Sequence, residues 1–170
     1  HRPQTRAPTP AHAEKIDAAL IHVLSVKPEW EHLLAIPVEF RLLLDEQVSS
    51  TNPLLPQLIY LGERAFARRV VLHEVLVHEL SHVWCGLLCE ITDFQRCGGP
   101  VDLVLPSGTR GKNTRQVVFA ATFAATVVSY YAAARGGAST SPHAARMAYC
   151  LSYLRKTLVT LEEEGTPNDM

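Results

Sequence analysis

A long run of apolar residues at helical spacing, from about residue 64 to 90, constrains this 170-residue chain more than any other feature. The centre of this run reads VLHEVLVHELSHVW and contains His78-Glu79-Leu80-Ser81-His82, the HExxH pattern. Four residues turn an α-helix by about 400°, so the two histidines lie about 40° apart on one face. The sequence therefore predicts one long helix that presents two imidazoles together.

Two imidazoles at this separation can bind one divalent ion at about 2.0–2.1 Å. Glu79 lies about 100° around the helix from His78, beside such an ion rather than among its ligands. There it can act as a general base, the role of this residue in metallohydrolases. We therefore expect His78 and His82 as metal ligands and Glu79 as the catalytic residue. A packed histidine pair without metal is the structural alternative.

The sequence leaves the third metal ligand open. Asp93 in ITDF, Glu90 and His143 are all candidates, and none of them completes a known HExxH peptidase signature. Glu74 lies one turn before His78, where it can orient a ligand histidine as a hydrogen-bond acceptor or pair with an arginine at the surface.

Three further residues of the run have metal-binding side chains. Cys85 and Cys89 lie four residues apart on the face of the histidine pair, a spacing more typical of a helix core than of a soft metal site. His73 lies half a turn from His82, on the opposite face, so we do not expect it to bind the same ion.

Helical spacing also predicts a helix over residues 13–26, a short one opened by Pro28, one over 114–134 capped by Asn113 or Thr114, and a last one from Ser141-Pro142 to about residue 164. Strands are expected within 37–46, where a helix is the alternative, and at 58–61, and loops are expected at 51–56 and 97–112. The expected fold is mainly α, with α+β possible: one long HExxH helix, a short strand pair and two long C-terminal helices. We expect a disordered lead-in at 1–12, a single HExxH metalloenzyme domain at 13–165 and a flexible tail at 166–170.

The charge balance narrows the possible partners. Sixteen Lys and Arg oppose seventeen Asp and Glu, a net charge of -1, which argues against a nucleic-acid partner. Charged residues are expected to interrupt the apolar stretches before these reach the roughly 20 residues that a membrane span needs. We therefore expect no membrane partner. A secreted disulfide scaffold is usually denser in cysteine and has its cysteines in loops, whereas Cys85 and Cys89 lie in a predicted helix, where we expect them to be reduced. The first residues include no apolar signal region. We expect a bacterial cytoplasmic protein, although the first residue is not Met, so export after signal removal stays open.

The segments around the HExxH helix occur in a recognisable order. AEKIDAALIHVL, KPEWEHLL and SSTNPLLPQLIYL precede LHEVLVHELSH, and SGTRGKNTR, VVFAATFAATVVSYY and LRKTLVTLEEEG follow it. In this order the chain resembles the HExxH-type peptide β-hydroxylases, the HExxH-motif peptide-modification proteins of bacterial peptide-maturation clusters. The resemblance covers most of the chain, and its specific part is the LVHExxH segment.

The resemblance implies Fe(II) held by His78 and His82, with 2-oxoglutarate and dioxygen as co-substrates. The reaction would hydroxylate the β-carbon of a side chain in a ribosomally made peptide. Either Arg110 or Arg115 would bind the 2-oxoglutarate carboxylate through two parallel hydrogen bonds, unless both are solvated loop residues. The family has a further histidine near the start of the helix after the basic loop, where this chain has Ala120 and Ala121.

Three functions follow as hypotheses, in this order of preference, with Fe(II) preferred to zinc as the metal. The first is an Fe(II)/2-oxoglutarate peptide hydroxylase, a dioxygenase, and the second is a zinc metallopeptidase with Glu79 as general base. The third is a non-catalytic module that only binds a peptide. Each predicts a peptide or protein partner, and the sequence leaves the oligomeric state open.

Overall fold

The computed structural model describes residues 4–44, 48–52, 55–92, 102–134 and 143–165. Within these ranges the chain is mainly helical with a small sheet, as the sequence predicts. The helices are α1 (Pro10–Val26), α2 (Glu31–Leu34), α3 (Arg69–Ile91), α4 (Thr114–Ala134) and α5 (His143–Gly165). The strands are β1 (Thr5–Arg6), β2 (Glu39–Leu43), β3 (Ser50–Asn52) and β4 (Leu55–Leu61). Short 3-10 turns, Pro28–Trp30 and Glu63–Phe66, precede α2 and α3.

The chain divides into two compact units, His1–Leu87 and Leu88–Met170. The first unit contains the sheet, α1, α2 and all but the last turn of α3. The second contains α4 and α5. The single domain expected over residues 13–165 stays a prediction.

The sheet of the first unit has four strands in the order β1-β2-β4-β3, rather than the expected strand pair. The two central strands, β2 and β4, are parallel, and β1 and β3 pair antiparallel with them at the edges. Both edge strands are short and polar and lack the alternation that marks a strand in a sequence. For this reason the expected loop at 51–56 was wrong: part of it belongs to β3 and β4.

The N-terminal segment also differs from the expected disordered lead-in. Thr5 lies opposite Leu43 in the sheet, and the N–H of Leu44 donates to the Gln4 carbonyl at 3.1 Å. Pro10 begins α1 because its fixed φ suits the first position of a helix. Residues 4–6 are thus held by strand pairing and residues 10–12 by helix α1, and apolar periodicity does not reveal the strand. Residues 1–3 and 166–170 lie outside the described ranges.

The core of the first unit lies between the sheet and the two longer helices. Helix α3 contributes an apolar stripe at spacings of three and four residues, as expected for a helix packed on one face. The indole of Trp84 donates to the Leu33 carbonyl at 3.1 Å, which fixes α3 against the α2 segment. Members of this core are Ile16, Ala19, Leu42, Ile59, Leu61, Ala65, Leu72, Leu76, Leu80 and Val83.

In the second unit, helix α4 begins with a capping box. The Asn113 side chain accepts from the Gln116 N–H at 2.9 Å, and the Gln116 side chain accepts from the Asn113 N–H at 3.1 Å. This confirms Asn113 as the cap. Ser141 and Pro142, expected to begin the last helix, lie outside the described residues.

Helix α4 corrects the expectation that no apolar stretch is long enough for a membrane span. Among the described residues it is the one helix that passes by length and composition, with a mean hydropathy of 1.7 over its best window. Buried core helices pass the same test, and 44% of that window is buried. Its buried residues include Val117, Ala120, Ala124 and Val127, which recur at helical spacing.

Candidate metal centre

Helix α3 brings His78 and His82 together on one side, one turn apart. Their Nε2 atoms lie 3.0 Å from each other, and the two ring planes cross at 79°. His78 lies about 200° around the helix from both Leu76 and Leu80, which face the core. The two imidazoles are therefore half-buried rather than packed into the apolar stripe.

The separation of the Nε2 atoms fits two ligands of one ion. Nitrogen ligands at about 2.1 Å lie about 3.0 Å apart when they meet the ion at a right angle, and about 3.4 Å apart at the tetrahedral angle. The same 3.0 Å also suits a hydrogen bond between the two rings. The donor set thus fits a divalent ion, and the rings can also satisfy each other without one.

Burial sets the charge of His82. Removal from water disfavours the imidazolium and lowers the pKa of His82 to about 4. The ring is therefore neutral near pH 7, which is the form that binds a metal.

Glu79 is buried beside the pair, with only 4% of its surface exposed. The hydroxyl of Thr51 donates to its Oε2 atom at 2.7 Å. Burial raises the pKa of Glu79 to about 7, against the opposite effect of the Thr51 hydrogen bond. The carboxyl can therefore take up and release a proton near neutral pH, as a general base must.

Thr51 is the part of this centre that the sequence did not predict. It lies in the edge strand β3, opposite Ile59 of β4, and 28 positions before Glu79. The sheet order places β3 at the edge of the sheet, and Thr51 there reaches α3. No local pattern links residues so far apart, so the contact follows from the sheet topology alone.

Ser81, between Glu79 and His82, is fully buried. Its hydroxyl donates to the His78 carbonyl at 2.6 Å, one turn back in the same helix. The hydroxyl is thus engaged by the helix backbone, and we assign Ser81 no chemical role.

Within the part of the chain that the structure describes, no three His, Cys, Asp or Glu side chains are grouped to hold a metal ion. Glu74, half-buried one turn before His78, does not complete such a group with the pair. Asp93 and the side chain of His143 lie outside the described residues. The third ligand stays a prediction.

The other histidine and cysteines of α3 lie in packed surroundings. His73 is buried and stacks on His22 of α1, with ring centroids 4.3 Å apart. Cys85 is 3% exposed, as expected for a core residue, and Cys89 is half-buried. Among the described residues, none of these joins the histidine pair in a metal-binding group.

The two arginines expected to bind 2-oxoglutarate belong to the second unit. Arg115 lies 3.5 Å from Glu90, measured between Nη2 and Oε1, and 5.8 Å above the ring of Phe119. This pair links a predicted cofactor residue to a predicted third ligand. Arg110 is exposed in the turn before α4. The 2-oxoglutarate role of both arginines stays a prediction.

No protein-family model matches the chain, and no curated protein shows significant similarity to it. The resemblance to the peptide β-hydroxylases therefore stays a prediction as well.

Proposed function

We propose that this chain is a metal-dependent hydrolase of peptide bonds, with His78 and His82 as metal ligands and Glu79 as general base. The observation that carries the proposal is the buried carboxyl of Glu79, held by Thr51 next to two convergent imidazoles. A buried carboxyl is costly unless its surroundings compensate it, and such sites are typical of catalysis.

Each residue of the centre has its own role in the proposed reaction. A divalent ion at the histidine pair would supply Lewis-acid polarisation of the scissile carbonyl and a lower pKa for the attacking water. Thr51 holds Oε2 of Glu79, which leaves Oε1 to accept the proton of that water. Glu79 then delivers the proton to the nitrogen of the leaving amine. The neutral imidazole of His82 keeps its Nε2 lone pair for the ion.

The test of this proposal uses the full chain loaded with zinc and a mixed peptide library, read by mass spectrometry. We expect cleavage that a chelator abolishes. Glu79→Gln should bind zinc as the unmodified protein does and cleave at least about a hundredfold more slowly, the contribution of a general base. The matched control is Glu14→Gln, an exposed glutamate of α1, which should cleave normally.

A second candidate is the Fe(II)/2-oxoglutarate hydroxylase. The 3.0 Å separation of the Nε2 atoms favours it, because it suits ligands at right angles, as in the two-histidine iron sites of oxygenases. The same library with Fe(II), 2-oxoglutarate and dioxygen distinguishes the two reactions. A mass gain of about 16 Da without cleavage would contradict the hydrolase and support the hydroxylase. Chelator-insensitive peptide binding without either reaction would contradict both and support a binding module.

A further inference from the structure

The first unit has an open cleft of about 480 Å³ outside the histidine centre. Its volume is in the range of pockets that bind small molecules. It lies where β1, the end of β2 and β4, the first turns of α1 and the 3-10 turn before α3 meet. Its lining residues are Arg6, His12, Leu42, Leu43, Leu44, Leu61, Glu63, Arg64, Phe66 and Ala67.

The floor of the cleft is apolar. Leu42 and Leu61 lie beneath it in the core, each at most 5% exposed, and Leu44, which is 48% exposed, and the half-buried Phe66 present apolar surface to the cleft. The ring of Phe66 meets the edge of His12 at 4.7 Å between centroids, and Thr9 bonds the Nδ1 atom of His12 at 2.6 Å. Leu44 and Phe66 therefore offer an alkyl chain an accessible apolar surface above the core of the unit.

The rim of the cleft is positively charged. Arg6 lies opposite Leu42 in the sheet, therefore on the same face, and it is exposed. Arg64 is exposed on the other side, on the 3-10 turn. Within the described residues neither guanidinium has an ion-pair partner. Among the described lining residues Glu63 is the one carboxylate, so the two guanidinium groups leave an excess of one positive charge there.

We infer that this cleft binds an aliphatic monocarboxylate, with the alkyl chain on the leucine floor and the carboxylate at Arg6 and Arg64. A guanidinium binds a carboxylate through two parallel hydrogen bonds, and one excess positive charge matches one carboxylate. The positive end of the α1 dipole, near His12, adds to the attraction for an anion. Such a ligand is either a free fatty acid or the apolar carboxyl-terminal residue of a peptide. The inference goes beyond the proposed function and does not depend on it.

The test is calorimetric titration of the full chain with hexanoate, octanoate and decanoate. Each added methylene should tighten binding about fourfold until the cleft is filled. Arg6→Gln and Arg64→Gln should each weaken decanoate binding by about fivefold, the usual effect of one exposed ion pair. The matched control is Arg68→Gln, a neighbouring exposed arginine outside the lining, which should bind normally. Ala67→Trp, an exposed substitution that fills the mouth, should abolish binding.

Two further arms identify the source of the carboxylate and challenge the inference. A short peptide that ends in leucine is compared with its carboxyl-terminal amide: tighter binding of the free acid than of decanoate assigns the cleft to peptide ends, and the reverse assigns it to fatty acids. Decanol that binds as well as decanoate, the same affinity in the Arg6 and Arg64 variants as in the Arg68 variant, or no binding at millimolar decanoate would each overturn the inference.

Discussion

At the level of single residues, burial shifts the pKa values of two groups of the centre, Glu79 and His82, in opposite directions. Burial raises the pKa of Glu79 from an ordinary 4.5 to about 7 and lowers that of His82 from an ordinary 6.5 to about 4. Between these limits the folded state binds the Glu79 proton more tightly than the unfolded chain does, so this group makes stability fall as pH rises. His82 has the opposite effect: its contribution makes stability rise with pH, because the unfolded chain binds its proton more tightly than the folded state does.

We therefore predict opposite pH profiles for two variants of the metal-free protein. Glu79→Gln removes the falling contribution, so its stability relative to the unmodified protein should rise between about pH 4.5 and 7, by up to about 3 kcal/mol. His82→Asn should show a relative stability that falls between about pH 4 and 6.5. Urea unfolding with a chelator present measures both profiles. Identical slopes in the two variants would contradict the assigned burial of these groups.

A second prediction concerns the hydrogen bond between Thr51 and Glu79. Thr51→Val keeps the shape and the strand preference of the side chain but removes the donor to Oε2. We expect a loss of about 1 kcal/mol in the free energy of unfolding and slower peptide cleavage with unchanged zinc binding. Thr5→Val, the same change on the opposite edge strand, is the control. A fully active Thr51 variant would show that Glu79 needs no such support.

How far the sequence predicted this centre depends on the distance along the chain. His78, Glu79 and His82 lie within five residues, so the geometry of one helix turn suffices to bring them together. Thr51 reaches Glu79 only because β3 pairs with β4 in the sheet, an order that residue types do not encode locally. The third ligand stays a prediction, because no local pattern singles out one of Glu90, Asp93 and His143.

At the scale of elements, the long helices were predictable and the edge strands were not. α3 and α4 have apolar periodicity over several turns, and α4 has a cap. The 3-10 turn Glu63–Phe66 takes up the first residues of the expected HExxH helix, so α3 itself begins at Arg69. β1 has two residues and β3 has three, too short for any periodicity.

The capping box gives a prediction at this scale. Asn113→Ala removes the acceptor of the Gln116 N–H and should lower the free energy of unfolding by about 1 kcal/mol. Asn113→Asp retains an acceptor oxygen and should stay close to the unmodified protein. Thermal unfolding followed by circular dichroism compares the two. Equal losses for alanine and aspartate would contradict the capping role.

The apolar stripe of α3 gives a further prediction, about the free energy of unfolding. Leu76 is fully buried in the core of the first unit, so Leu76→Ala should cost about 2–5 kcal/mol through lost contacts and a residual cavity. Leu88→Ala changes the same residue type on the same helix at a position 51% exposed, and should cost less than about 0.5 kcal/mol. Urea unfolding measures both losses. Similar losses would contradict the orientation of α3 described here.

At the scale of the whole molecule, the near-neutral charge of the chain fits recognition by local sites rather than by a general field. The first unit combines two such places, the half-buried histidine pair and the arginine-rimmed cleft. Each rests on its own observations, so either can fail its experiment without affecting the other. Both candidate reactions require that His78 and His82 bind a metal ion, which is therefore the claim to test first.

Metal content tests that claim most directly. The full chain is stripped with a chelator, reconstituted with zinc, separated from free metal and analysed by mass spectrometry for zinc and protein. We predict one tightly held ion per chain in the unmodified protein and in His32→Asn, an exposed histidine of α2, and about a tenth of that amount or less in His78→Asn and His82→Asn. A metal-free unmodified protein, or equal zinc in all four proteins, would contradict it.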